Sequence, residues 1–140
     1  MATRIRWSQD GSVGYSVTDA NVKTLLTQAE KNTLDGDSNS ATYVFISGTN
    51  TRALINFPDV CNISAIAVRG RDNAVTVTVK SSNDSTDGID GTWTTVASGV
   101  SVPVATLTMV SCTPTNATWI QVTCTTGWNG MYCFWLFGEY

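Results

Sequence analysis

Two loops of the sequence carry side chains of the types that bind sugars. Trp128 and Asn129 stand between two strand-like segments, and Arg69, Arg71 and Asn73 stand in an earlier loop. An indole stacks on the apolar face of a pyranose ring, while amides and guanidinium groups hydrogen-bond to hydroxyls. We therefore predict a ligand-binding site made of Trp128, Asn129, Arg69, Arg71 and Asn73. The alternative for the Trp128 loop is a plain hairpin turn, since the Asn-Gly pair that follows favours a type I′ turn.

Histidine, the commonest general base of catalytic sites, is missing from the chain. The chain has no histidine, so Ser–His and Cys–His nucleophilic sites are excluded. The aspartates could supply a carboxylate pair of the glycosidase type, but nothing in their spacing places two of them together. We predict that the protein is not an enzyme.

The four cysteines are Cys61, Cys112, Cys124 and Cys133. None forms a CxxC pair, which argues against a zinc site. Free cysteine is among the most buried residue types, so we interpret these four as small core residues. A Cys124–Cys133 disulfide across a hairpin is the alternative, because eight residues separate the two.

The acidic segment 83–91, with the sequence NDSTDGIDG, has alternating acidic residues like an EF-hand loop. It lacks the closing glutamate and the flanking helices of that motif. We therefore predict an exposed loop without a metal ion.

Composition limits the class of protein. The chain has 140 residues, of which 42% are apolar and 14% are charged, as expected of one folded domain rather than a disordered segment. The net charge is -3 and the basic residues are scattered, which argues against nucleic acid as a partner. No segment approaches the about 18 apolar residues that would span a bilayer. The N-terminus also lacks the apolar core of a signal peptide.

Strands are the main elements that would position these loops. Val75, Val77 and Val79 alternate with polar residues, which is the period of a half-buried strand. Similar short segments recur between Gly, Asn and Pro residues, a pattern typical of an all-β sandwich or barrel. The predicted strands are Arg4–Trp7, Gly14–Val17, Ala41–Ser47, Arg52–Phe57, Asn62–Val68, Ala74–Lys80, Thr92–Ala97, Val102–Cys112, Trp119–Cys124 and Met131–Phe137.

One helix is predicted over Asp19–Lys31. Apolar residues recur there at helical spacing, and they are Val22, Leu25, Leu26 and Ala29. Asp19 would cap the first turn, and Lys31 suits the negative end of the helix dipole.

The order of the motifs resembles the discoidin or coagulation factor 5/8 type C module. Asn32–Ser40 is similar to the early loop of that family, A-x-D-G-x-x-x-T. Val75–Val96 matches its strand, serine, glycine-containing loop and tryptophan strand, and Trp119–Val122 with Phe134–Tyr140 matches its paired last strands. The resemblance implies an eight-stranded antiparallel jelly-roll sandwich of the galactose-binding-like type.

The chain also departs from the pattern of that family. Asn83–Asp90 is an insertion, Pro58-Asp59 replaces a common Leu-Gly pair, and Ala117-Thr118 stands where an arginine is common. Residues 1–30 have no counterpart in the family. We therefore predict an N-terminal arm that carries the helix and anchors or oligomerises the chain, followed by a discoidin-like β-sandwich at 31–140, in a single structural domain.

The resemblance further implies a metal and a ligand-binding end. In many related modules the early loop and a late glutamate hold a structural calcium, which nominates Asp35, Asp37, Ser40 and Glu139 here. The alternative is that Asp35-Gly36-Asp37 is a plain solvated turn. Ligands of the family bind loops at one end of the sandwich, so the Trp128 and Arg71 loops are expected to converge.

Two functions are compatible with these features. The first is a virion structural protein, such as a phage capsid-decoration (cement) protein or a head- or tail-fibre component at the virion surface. A native-looking Met start, a single module and the lack of a leader favour it, and its partners would be other virion proteins and further copies in a homo-oligomer such as a trimer. The alternative is a carbohydrate-binding module or lectin that binds cell-surface glycans, with no nucleic acid and no membrane insertion in either case.

Overall fold

The computed structural model describes residues 3–19, 22–37, 42–44, 52–124 and 130–140. These residues form an all-β antiparallel sandwich with one α-helix, which confirms the predicted fold class. The strands are β1 (Thr3–Ile5), β2 (Gly14–Asp19), β3 (Val22–Leu25), β4 (Arg52–Gly70), β5 (Val75–Ser82), β6 (Thr94–Val102), β7 (Thr108–Cys124) and β8 (Met131–Glu139), and the helix is α1 (Gln28–Leu34). No helix in the described ranges has the length and apolar character that crossing a lipid bilayer requires.

Two long strands, β4 and β7, pair with different neighbours along their lengths. Residues 52–56 of β4 pair with β2 and the second half of β7, whereas residues 62–70 pair with β8 and the first half of β7. The register shifts between Asn56 and Cys61, a stretch that contains Pro58. Proline cannot donate a ladder hydrogen bond, so it is tolerated in a strand mainly at such irregularities. The sequence predicted separate strands on either side of Pro58, and the structure has one continuous strand with a register shift instead.

Aromatic packing connects the N-terminal residues to the core. The Trp7 ring stacks on Tyr15 with centroids 4.9 Å apart, and Phe134 meets Tyr15 edge-on at 5.9 Å. The Trp7 indole nitrogen donates a hydrogen bond of 3.0 Å to the Phe134 carbonyl, so this fully buried side chain has its polar group satisfied. Trp7 lies in a short 3-10 helix (Trp7–Gln9), and the other two rings come from β2 and β8.

The described residues among the first 30 are therefore built into the sandwich, in contrast to the predicted appended N-terminal arm. β1 pairs antiparallel with β8, and β2 pairs antiparallel with β4. Both strands contribute buried residues to the same core as the later strands, as Ile5 and Tyr15 show.

The predicted helix Asp19–Lys31 is wrong in its position. Its first part forms β3, which pairs with β2, and the helix begins only at Gln28. Thr27 caps it: the Thr27 hydroxyl accepts the Glu30 N–H at 3.2 Å, and the Glu30 carboxylate accepts the Thr27 N–H at 3.1 Å. This reciprocal cap and the pairing of β3 with the preceding strand β2 outweigh the helical spacing of apolar residues.

All four cysteines lie in the described ranges, are buried and form no disulfide there. The interpretation as core residues is confirmed, and the Cys124–Cys133 disulfide is wrong.

The acidic loop 83–91 folds back over the outer face of one layer. Gly88 is buried against the Trp119 ring and Leu54, where an added Cβ would lie 2.7 Å and 2.9 Å from their carbon atoms. The Gln121 side-chain amide donates a hydrogen bond of 3.4 Å to the Gly88 carbonyl. The loop is thus exposed on its acidic side, as predicted, and covers apolar side chains on its other side.

Aspartates within this loop hold its shape. The Asp90 carboxylate accepts hydrogen bonds from the hydroxyl and the N–H of Thr86, which hold the pKa of Asp90 well below its usual value. The Asp84 carboxylate accepts the Thr92 N–H at 2.7 Å and the Ser82 hydroxyl at 2.9 Å, and these bonds lower the pKa of Asp84.

Gly88→Ala is expected to destabilise the fold more than left-handed backbone strain alone would. Gly88 has a φ of +86°, and the new methyl group would also have to displace the Trp119 ring. Gly99→Ala is the matched control, because Gly99 has a φ of +65° but no atom within 4 Å of the added Cβ. The control should cost about 1–2 kcal/mol. Urea unfolding followed by tryptophan fluorescence measures both, and equal losses would contradict the packing of the loop on Trp119.

Acid is expected to destabilise the acidic loop. Asp84 and Asp90 have lowered pKa values in the folded chain, so their stabilisation is present above the unfolded pKa of about 4 and is lost as the pH falls through the folded values. Asp90→Asn removes one of these charges. The difference in unfolding free energy between wild type and Asp90→Asn should therefore shrink between about pH 7 and about pH 3. Parallel stability curves over that interval would argue against this role of Asp90.

Candidate functional site

Four side chains gather where β4 ends and β8 begins. Arg69 is the second-to-last residue of β4, and Arg71 begins the loop that follows. Tyr132 is the second residue of β8, and Tyr43 lies in the segment 42–44, which forms a β-bridge to the start of β8. Arg69, Arg71, Tyr43 and Tyr132 are all half-buried. We refer to these four residues as the Arg–Tyr cluster.

Each tyrosine ring of the cluster is covered by a guanidinium group. The Cζ atom of Arg71 lies 4.0 Å from the centroid of the Tyr43 ring, and that of Arg69 lies 4.5 Å from the centroid of Tyr132. The two rings meet edge to face, with centroids 5.9 Å apart and an angle of 80° between their planes. Cation–π and edge-to-face contacts therefore hold the four side chains as one unit.

Gly130 allows the cluster to pack closely. The Arg71 N–H donates a hydrogen bond of 3.1 Å to the Gly130 carbonyl. A Cβ at Gly130 would lie 2.9 Å from Cδ2 of Tyr43 and 3.2 Å from Cδ of Arg71, so a larger residue would have to displace one of them. The residue that ends the Trp128 loop thus lies against the Arg71 loop. Trp128 and Asn129 themselves lie outside the described residues, and their place in the ligand site stays a prediction.

A strained turn holds Arg69. The Arg69 Nε–H donates a hydrogen bond of 3.2 Å to the carbonyl of Ala105. Ala105 has a φ of +49°, and no other non-glycine residue in the described ranges has a positive φ. Left-handed backbone is costly for alanine, and such strain often accompanies functional sites. The turn between β6 and β7 therefore positions a carbonyl that orients the Arg69 guanidinium.

The other predicted ligand residue of the loop, Asn73, is exposed two residues beyond Arg71. Between them, Asp72 is exposed as well, and its carboxylate lies 3.5 Å from Nε of Arg71. Arg69 and Arg71, which were nominated from their residue types, both lie in the Arg–Tyr cluster, and their role in ligand binding stays a prediction. Tyr43 and Tyr132 were missed, although the alternation of each strand-like segment placed them opposite buried neighbours.

A concave surface lies at the other end of β5, away from the Arg71 loop. It is a cleft of about 440 Å³. Its lining residues are Ser81, Ser82, Asn83, Asp84, Thr92, Thr94, Thr115 and Asn116. None of these described residues is aromatic, whereas sugar sites usually provide an aromatic face. The Arg–Tyr cluster is therefore the better candidate site.

The described members of the predicted calcium site do not fit a metal ion. Asp35 is fully buried, so the alternative of a plain solvated turn is wrong for it. Its Oδ2 atom accepts hydrogen bonds from the N–H and the hydroxyl of Ser8, at 3.0 Å and 2.9 Å. Asp37 and Glu139 are exposed, and within the described ranges no three acidic, cysteine or histidine side chains form a group able to hold a metal. Ser40 lies outside the described residues.

Solved structures with the same fold include several carbohydrate-binding modules. CpGH89CBM32-6 of Clostridium perfringens superposes with a TM-score of 0.68 at 15% identity, over 95% of this chain and 98% of that chain. Chitosan-binding module 2 of the chitosanase/glucanase from Paenibacillus sp. IK-5, in complex with chitotriose, gives 0.63 at 19% identity, over 91% and 97%. The CBM32 module of AlyQ, in complex with 4,5-unsaturated mannuronic acid, gives 0.61 at 18% identity, over 90% and 93%.

These similarities establish the fold. The CBM32 modules are discoidin-like jelly rolls, so the fold that the resemblance predicted is confirmed. No protein-family model and no curated protein sequence matches the chain. None of the three structures is described as a virion component, and the virion hypothesis gains no support from them.

Ala105→Gly is expected to raise the free energy of unfolding by up to about 1 kcal/mol, because glycine adopts the left-handed conformation without steric cost. The bond to Arg69 uses the backbone carbonyl and should survive the substitution. Ala97→Gly, in the strand β6, is the control and should be destabilising. Chemical unfolding measures both variants, and a loss of stability in Ala105→Gly would contradict the strained turn.

Proposed function

We propose that the protein is a non-catalytic carbohydrate-binding module whose glycan site is the Arg–Tyr cluster together with the Asp72, Asn73, Trp128 and Asn129 side chains. The observation that carries this proposal is the stacking of Arg69 and Arg71 on two tyrosine rings at one end of the sandwich. The fold supports it, because the similar modules include one bound to chitotriose and one bound to 4,5-unsaturated mannuronic acid.

Stacking makes the arginines suitable for sugar recognition. A guanidinium group is a planar fork of N–H donors, and contact with a ring face fixes the plane in which those donors point. Arg71 also lies beside a carboxylate, since its Nε is 3.5 Å from Asp72. A sugar hydroxyl both donates and accepts hydrogen bonds, so an adjacent guanidinium and carboxylate can satisfy both capacities of neighbouring hydroxyls.

The apolar half of the site is proposed to come from Trp128. Trp128 and Asn129 directly precede Gly130, whose carbonyl accepts the Arg71 N–H. An indole next to this point would provide the flat surface on which a pyranose ring stacks, and the Asn129 amide would add hydrogen bonds to hydroxyls. The combination of one aromatic face with a few fixed polar groups is typical of small-ligand sites.

A binding role rather than catalysis agrees with the residue types. The chain has no histidine, and the arginines and tyrosines of the cluster are held by one another rather than arranged as a nucleophile and a base. The similar Paenibacillus module comes from a chitosanase/glucanase. We propose by analogy that the present chain binds a glycan and that any reaction on the glycan is catalysed by another protein or domain.

Glycan-array screening followed by calorimetric titration tests the proposal. We expect saturable binding that Arg71→Ala weakens at least about tenfold, since a lost hydrogen bond to a charged group costs about 1.5–3 kcal/mol. Trp128→Ala should weaken binding of the same glycan. Lys80→Ala, on β5 and outside the proposed site, is the control and should bind like wild type.

The thermal stability of each variant must be measured alongside, so that unfolding is not mistaken for lost affinity. Absence of any glycan ligand would refute the proposed function. Binding that survives both Arg71→Ala and Trp128→Ala would show that the glycan binds elsewhere. The cleft of about 440 Å³ that Ser82 and Asn116 help to line would then be the next surface to mutate.

A further inference from the structure

The guanidinium group of Arg4 lies against the loop 35–37. Nη2 of Arg4 donates hydrogen bonds to the carbonyl oxygens of Asp35 and, at 3.1 Å, of Gly36. The same nitrogen lies 3.4 Å from Oδ1 of the buried Asp35 carboxylate. Two backbone carbonyls and one carboxylate thus converge on a single positively charged group.

Trp135 completes the surroundings of this guanidinium. The Arg4 Cζ atom lies 3.9 Å from the Trp135 ring centroid, and the Trp135 indole N–H donates a hydrogen bond of 3.0 Å to the Gly36 carbonyl. The Gly36 carbonyl therefore accepts from both Arg4 and Trp135. Arg4 belongs to β1 and Trp135 to β8, so the loop is fastened to both of these paired strands.

We infer that the guanidinium group of Arg4 takes the structural place that the family resemblance assigned to calcium, so that this chain keeps the loop 35–37 folded without a metal ion. Carbonyl and carboxylate oxygens are the ligands that calcium prefers, and here they are occupied by a side chain. A calcium ion bound to the same oxygens would have to displace Arg4 from the ring of Trp135.

Electrostatics favour the same conclusion. The Asp35 side chain is fully buried, and a buried carboxylate needs a partner charge. Arg4 and Arg6 provide two, at 3.4 Å and 3.6 Å from its oxygens. A divalent cation placed there would be repelled by both guanidinium groups, because like charges at such distances interact strongly away from bulk water.

A thermal unfolding series tests the inference. We expect the Tm of wild type to be the same in EDTA and in millimolar calcium, because no ion binds the folded state. Arg4→Ala should lower the Tm by about 5 °C or more. Calcium should then restore part of that loss, because the oxygens of Asp35 and Gly36 become accessible. Arg6→Ala is the matched control, which removes a charge beside Asp35 but no hydrogen bond to the carbonyls.

Several outcomes would overturn the inference. They are a wild-type Tm that calcium raises, an Arg4→Ala variant as stable as wild type, and an Arg4→Ala variant that calcium does not stabilise more than it stabilises Arg6→Ala.

Terbium luminescence provides a test that needs no destabilised variant. A lanthanide ion bound to the Gly36 carbonyl would lie beside the indole of Trp135, which would transfer excitation energy to it. Wild type is expected to give no sensitised emission that depends on Trp135. Emission that calcium competes away and that Trp135→Phe abolishes would show a metal ion in this loop and refute the role of Arg4.

Discussion

The pairing of β4 on both sides is the constraint on which the rest of the sandwich depends. This strand of 19 residues pairs with β7 along its length, and its other partner changes from β2 to β8 across the register shift between Asn56 and Cys61. A strand with partners on both edges cannot change register without losing both ladders and exposing its core-facing residues, such as Ile55 and Ile63. The position of Arg69 near the end of β4 is therefore set by the whole sheet rather than by the local loop.

A planar guanidinium group stacked on an aromatic ring occurs three times in the described part of the molecule. Arg69 and Arg71 stack on tyrosines in the proposed glycan site, and Arg4 stacks on Trp135 beside the loop 35–37. The ring fixes the orientation of the guanidinium N–H donors before they bind a ligand or a carbonyl oxygen. Less side-chain entropy is therefore lost when the hydrogen bonds form. The same cation–π stacking thus orients arginines in two places. In the proposed glycan site the donors are available to a ligand, and beside the loop 35–37 they bind backbone carbonyls.

Local patterns were sufficient for several of the strands and insufficient for β3 and for the way the strands join. Alternation of valines revealed the core face of β5, because the period of two is a local property. The continuity of β4 through Pro58 depends on pairing partners far away in sequence. β3 pairs with the preceding strand β2, although the apolar spacing of its residues favoured a helix. Arg69 and Arg71 could be nominated by residue type alone. Their tyrosine partners could not, since only the tertiary fold brings Tyr43 to Arg71.

The four cysteines are buried, so they are expected to react slowly with thiol reagents in the folded chain. Burial raises the pKa of Cys61 to about 12 and that of Cys112 and Cys133 to about 11, so almost no thiolate is present at neutral pH. The thiolate is the reactive form of cysteine, and alkylation must therefore wait until the surrounding strands separate. The rate of alkylation under native conditions consequently reports how often the strands around each thiol separate. One reporting cysteine lies in β4, one in β8 and two in β7.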